Sequence, residues 1–97
     1  MYIIRFSKQA DKDKKLLKGV GLVLKAKKLL DIIAENPFQN PPPYEGLVGN
    51  LSGYYSRRIN IQHRLVYQIY NDPVIIDGIE YQGTIKIVRM WTHYDKI

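Results

Sequence analysis

Between Asn36 and Pro43 the chain passes through Asn36-Pro37 and then Pro41-Pro42-Pro43, and this stretch separates two kinds of hydrophobic pattern. A residue before proline is pushed out of the helical region, so a helix arriving from the N-terminal side must end by Asn36. On that side Leu22, Ala26, Leu29, Leu30 and Ile33 recur at helical spacing, the signature of a helix with one buried face. Beyond Leu51 the pattern becomes β-rich. The prolines between them are a stiff, extended connector with few accessible conformations, which fixes where Tyr44 and Glu45 sit.

The remaining elements follow from local signals. Tyr2-Ile3-Ile4-Arg5-Phe6 reads as a first strand, and Ser7 is placed to cap the helix that follows. That helix, Lys8 to Lys18, is lysine-rich, with only Ala10, Leu16 and Leu17 offering an apolar face. Gly19-Val20-Gly21 interrupts it, and a second helix runs from about Leu22 to Glu35. Tyr54 to Ile61 and Arg64 to Tyr70 read as antiparallel strands, and Thr84 to Tyr94 as a third. Val74 to Gln82 reads as an extended or extra hairpin loop around Asp77-Gly78, a strong turn signal. The expected order is β-α-α-β-β-β: an α+β domain over residues 1–97, with a helical hairpin on one face of a curved antiparallel sheet.

At 97 residues the chain has room for one domain with a modest core. Its 45% hydrophobic and 25% charged residues suit a globular protein. The formal charge of +6 favours an acidic partner, nucleic acid or protein. With no cysteine, disulfides, thiolate chemistry and cysteine zinc sites are excluded. His63 and His93 lie far apart with no carboxylate at ligand spacing, so neither a metal nor another cofactor is expected. Arg5 and Lys8 break the short apolar start, and no apolar run is long enough to span a membrane. A cytoplasmic location is the expectation.

From Gly46 to Asn71 there is no Asp or Glu, while Arg57, Arg58 and Arg64 all fall there. One reading is a solvated basic sheet. The other is a phosphodiester site. Metal-free RNA cleavage needs a base for the 2′-hydroxyl, cations for the charge growing at phosphorus, and an acid for the departing 5′-oxygen. Glu45, the carboxylate beside the basic stretch, suits the base. Arg64, supported by Arg58, can present a planar fork to phosphate oxygens. His93 has the near-neutral pKa of a general acid. Tyr94 and Tyr55 could stack on a base, and Arg57, Lys14 and Lys15 are candidate RNA contacts. His63, Tyr67, Met90 and Trp91 read better as core or turn residues.

Asn50-Leu-Ser-Gly-Tyr-Tyr-Ser-Arg-Arg-Ile59, His63-Arg-Leu-Val-Tyr67 and Trp91-Thr-His-Tyr94, with Asn36-Pro37-Phe38 and the loop holding Glu45, resemble the Txe/YoeB toxins of the RelE superfamily. The resemblance is colinear and spans nearly the whole chain. It implies a RelE-like two-layer fold and a toxin that cleaves mRNA in the ribosomal A site, held inactive by a YefM/Axe-type antitoxin. Carried over by position, the family's functional residues fall on Glu45, Arg58, Arg64, His93 and Tyr94, the residues that the chemistry selects. The implied partners are the antitoxin, the ribosome and mRNA, operator DNA only through the antitoxin complex, and a second copy as a candidate homodimer. The alternative is a catalytically weak or inactive toxin homologue acting mainly as an antitoxin-binding transcriptional co-repressor. Where some relatives carry a lysine after the glutamate this chain has Gly46-Leu47-Val48, and its connection from Asp72 to Thr84 is longer than in compact relatives.

Overall fold

A computed structural model describes residues 1–91. Its elements run β1 (Tyr2–Phe6), α1 (Lys8–Gly19), α2 (Val23–Glu35), β2 (Glu45–Gly46), a 3-10 turn (Gly49–Leu51), β3 (Tyr54–Arg58), β4 (Arg64–Tyr70), β5 (Val74–Ile76), β6 (Ile79–Tyr81) and β7 (Gly83–Arg89). The main sheet has the order β1-β7-β4-β3-β2, and β5 with β6 makes a separate hairpin. The fold is α+β, with both helices packed on one face of the sheet.

The helical hairpin forms as its sequence dictates. Ser7 caps α1: its Oγ accepts from the Ala10 amide over 3.0 Å, while its own amide donates to the Ile87 carbonyl over 2.9 Å. The cap therefore fastens α1 to the end of β7. On α2, Ala26, Leu29 and Ile33 are buried, and Leu22 and Leu30 pack beside them. They meet Leu65, Tyr67, Ile85 and Ile87 of the central strands in one core. Truncating Ile33 to alanine would cost about 2–5 kcal/mol, because packing around it is fixed from both layers.

The structure departs from expectation in several places, among them an added short strand, β2, and an earlier end of β3 at Arg58. The sheet is mixed: β1 pairs parallel to β7, with Ile4 opposite Ile85 and Phe6 opposite Ile87. No turn links β1 to a partner so distant in sequence, so no local signal encodes its direction. On α1 the buried stripe is Ala10, Asp13 and Leu17, whereas Leu16 is 48% exposed; an aspartate occupies the position expected of an apolar residue. Pro41 and Pro42 lie in a bend rather than an extended strut.

The longer connection is an ordered β5–β6 hairpin turning through Asp77 (φ 51°) and Gly78 (φ 78°), the two positive-φ positions of a tight hairpin turn. Gly83, just after it, admits no side chain: a Cβ there would lie 2.0 Å from the Tyr70 carbonyl oxygen.

Candidate active site

Strand alternation sorts the basic stretch into two populations. Successive side chains of β3 point to opposite faces. Tyr55 packs against the helix-side core and Arg57 follows it, so Ser56 and Arg58 face the other way. In register, Ser56 lies opposite Glu45 of β2 and Val66 of β4, and Arg58 lies opposite Arg64. Cross-strand partners share a face, with Cβ atoms about 4.5–5.5 Å apart. Glu45, Ser56, Arg58 and Arg64 are thereby brought together. With Pro43 and Tyr44 they line a cleft of about 300 Å³.

The arginines differ in what they hold. Arg57 is 1% exposed. Its Nε donates to Tyr67 Oη over 3.1 Å, Nη1 to the Pro42 carbonyl over 2.6 Å and Nη2 to the Pro37 carbonyl over 3.0 Å. The guanidinium also sits 5.2 Å from the centre of the Tyr44 ring. The expectation of an RNA-facing Arg57 is therefore corrected: alternation turns it into the core, where it pins the proline-rich loop to the sheet. Tyr67 completes the tie by donating to Pro37 O over 3.0 Å. Burial pushes the Tyr67 phenol up, against the lowering influence of the Arg57 hydrogen bond and charge.

Arg58 and Arg64 are different. Neither guanidinium has a hydrogen-bond acceptor or ion-pair partner among the described residues, and Arg64 Nε is buried without one. Like charges directly opposite each other destabilise a sheet. A pair of uncommitted guanidiniums on facing strands is therefore an arrangement that an anion relieves.

Other expected residues lie elsewhere. Tyr55 is half-buried among Phe38 (5.4 Å), Tyr44 (6.3 Å) and Tyr67 (5.8 Å); Tyr44, not Tyr55, lines the cleft. Lys14 and Lys15 are on α1, in the helical layer across the sheet from the cleft. Lys14 lies 3.7 Å from Asp11 and 4.1 Å from the centre of the Phe6 ring. His63 is buried and stacks on Trp91 at 4.0 Å. His93 and Tyr94 lie outside the described residues.

The chain leading toward them is anchored by Asp13, which the sequence reading missed. This fully buried carboxylate accepts from Arg89 Nε (2.8 Å), the Met90 amide (2.9 Å) and Gln9 Nε2 (3.0 Å). Burial alone would raise its pKa, but those hydrogen bonds and the Arg89 charge hold it below the usual carboxylate value. The available signal was its spacing: 10, 13 and 17 form one helical stripe. Ser56 was also missed, although it has the same strand parity as Arg58.

Comparison with known proteins identifies the family. The family model described as YoeB-like toxin of bacterial type II toxin–antitoxin system matches residues 6–94. A Toxin YoeB of Synechocystis is 50% identical over 64 residues, covering 66% of this chain and 67% of that protein. A Toxin YoeB of Streptomyces coelicolor is 39% identical over 72 residues, covering 74% and 79%. Among solved structures, a chain of a YoeB–YefM complex from Staphylococcus aureus is 37% identical with a TM-score of 0.70, over 97% of this chain and 99% of that one. A YoeB/ParE toxin from Agrobacterium tumefaciens, 22% identical with a TM-score of 0.79 over 95% and 99%, shares the fold.

Proposed function

The chain belongs to the YoeB family of toxins from bacterial type II toxin–antitoxin systems, and from that premise we propose that it is a ribosome-dependent mRNA endoribonuclease. The observation that carries the reading is the cleft in which Glu45 stands beside two guanidiniums that no acceptor among the described residues holds. Glu45 takes the proton from the 2′-hydroxyl, and the 2′-oxygen attacks phosphorus. Arg58 and Arg64 stabilise the charge that builds on the non-bridging oxygens. The P–O5′ bond breaks as His93 protonates the leaving oxygen, and Tyr94 orients the RNA beside it. The products are a 2′,3′-cyclic phosphate and a 5′-hydroxyl. Proton transfers of this kind contribute typically 10²–10⁴-fold each, and no step asks for a metal.

The ribosome supplies the bound, positioned mRNA in its A site, with Lys14 and Lys15 on α1 as candidate contacts to ribosomal RNA. A YefM-type antitoxin is the inhibitor, by analogy with the staphylococcal YoeB, which forms a complex with YefM. Its acidic segments would meet the +6 charge of this chain. Operator DNA is reached only through that complex, a homodimer is consistent with the staphylococcal YoeB dimer, and the site of action is the cytoplasm. The test is mRNA cleavage in purified translating ribosomes, mapped by primer extension, with and without antitoxin. Cuts that appear with the toxin and vanish when antitoxin is added support the reading; intact mRNA refutes it.

A further inference from the structure

We propose that Ser56 is a direct RNA contact in the cleft, its hydroxyl donating a hydrogen bond to a non-bridging oxygen of the phosphodiester held by Arg58 and Arg64. The proposal rests on the endoribonuclease reading and adds a substrate-binding group to it. Ser56 is 1% exposed, and its Oγ has no hydrogen-bond partner among the described residues. Arg64, which lines the same cleft, has a buried Nε that likewise has no partner among the described residues. Buried polar atoms are nearly always satisfied, so two orphans in one small cleft call for a common explanation.

No group among the described residues holds the hydroxyl in place. Ser7 Oγ, by contrast, donates to the Val88 carbonyl over 3.0 Å, and Ser52 Oγ to the Gly49 carbonyl over 2.9 Å. Ser56 sits in mid-strand between Glu45 and Val66, where a methyl group would pack as well as a hydroxyl and leave nothing unsatisfied. What the position offers is a short neutral donor beside two cationic forks. A ligand that uses all three must present several acceptor oxygens at one centre, as a phosphodiester does. Neither arginine side chain is tied to an acceptor among the described residues, so both are available to a phosphate at this cleft. Arg58 and Arg64 supply charge, and Ser56 adds direction.

Ser56→Ala tests this through two readouts that a structural role would move together. In thermal melts the variant should be as stable as the parent or more so, because a buried unsatisfied hydroxyl has been removed. In single-turnover cleavage on saturating ribosomes it should be roughly 10- to 100-fold slower, given that one lost transition-state donor costs up to about 100- to 1000-fold. It should also lose most of the thermal shift that an uncleavable 2′-deoxy oligonucleotide gives the parent. Cleavage and thermal shift equal to the parent's would overturn the proposal while leaving the endoribonuclease reading intact. So would a rate that falls only in step with a melting temperature several degrees lower. If the parent itself cleaves nothing, the endoribonuclease reading fails first, and the oligonucleotide shift alone decides: lost in Ser56→Ala, the contact stands; unchanged, it does not.

Discussion

The Arg57 guanidinium donates to the Pro42 carbonyl oxygen over 2.6 Å, joining the strand beneath the cleft to the loop that delivers Glu45. A second bond from the same fork reaches Pro37 at the loop's other end. Glu45 is thus positioned by a buried cation, with the prolines limiting what the loop can do between its two fastened ends. Arg57→Leu should strand these carbonyls at about 1–3 kcal/mol for each buried acceptor, read as a lower urea midpoint. Arg57→Lys should recover only part, because an ammonium cannot span both ends as a planar fork does.

Asp13 ties α1 to the exit of β7 and gives the protein an acid limit. Its folded pKa lies below the ordinary value because Arg89, the Met90 amide and Gln9 all donate to the charged form, outweighing burial. The stabilisation is therefore fully present above the unfolded pKa of about 3.9 and is lost as the pH falls through the lower folded value. Asp13→Asn should cost on the order of 3 kcal/mol at neutral pH, since it removes the buried carboxylate paired with Arg89. Stability measured against pH should also fall less steeply below about pH 4 in the variant than in the parent.

Gly83 marks where β7 passes the end of β4. Because a Cβ would meet the Tyr70 carbonyl at 2.0 Å, Gly83→Ala must push two backbones apart. The expected loss exceeds the roughly 1–3 kcal/mol of ordinary overpacking. Hydrogen exchange should show it first in the amides of β4 and β7 around Tyr70 and Thr84.

Arg64 and Lys14 should fail in different ways. In the proposed mechanism Arg64 acts on charge that grows only in the transition state, so Arg64→Ala should slow cleavage on saturating ribosomes by about 100- to 1000-fold with little change in ribosome affinity. Lys14, on the helical layer, can contribute only to docking. Lys14→Ala should weaken ribosome binding slightly, in a salt-dependent way, and leave the bound rate unchanged.

Much of this arrangement was legible in the chain. Helical spacing identified the buried face of α2, Ser7 announced the start of α1, and Asp77-Gly78 marked the hairpin. Those signals are local. What escaped depends on contacts between distant segments. The parallel direction of β1 is set by β7, and Asp13 looks like one more charge in a lysine-rich helix until Arg89 and Met90 are seen around it. Arg57, Arg58 and Arg64 are alike as letters, and only strand parity and register separate the one that holds a loop from the two that face the cleft. Applying the two-residue period of β3 more strictly would have placed Arg57 with Tyr55 and Ser56 with Arg58.

If Glu45 and the paired arginines carry out metal-free transesterification, Glu45→Gln reveals it most directly. The substitution keeps the shape of the side chain and removes its ability to take a proton. Single-turnover cleavage of a defined mRNA on saturating ribosomes should yield 2′,3′-cyclic phosphate and 5′-hydroxyl ends with the parent, and should slow by roughly 10²–10⁴-fold in Glu45→Gln with ribosome binding unchanged. Cleavage by Glu45→Gln at the parent rate, or parent products ending in a 5′-phosphate, would contradict the account.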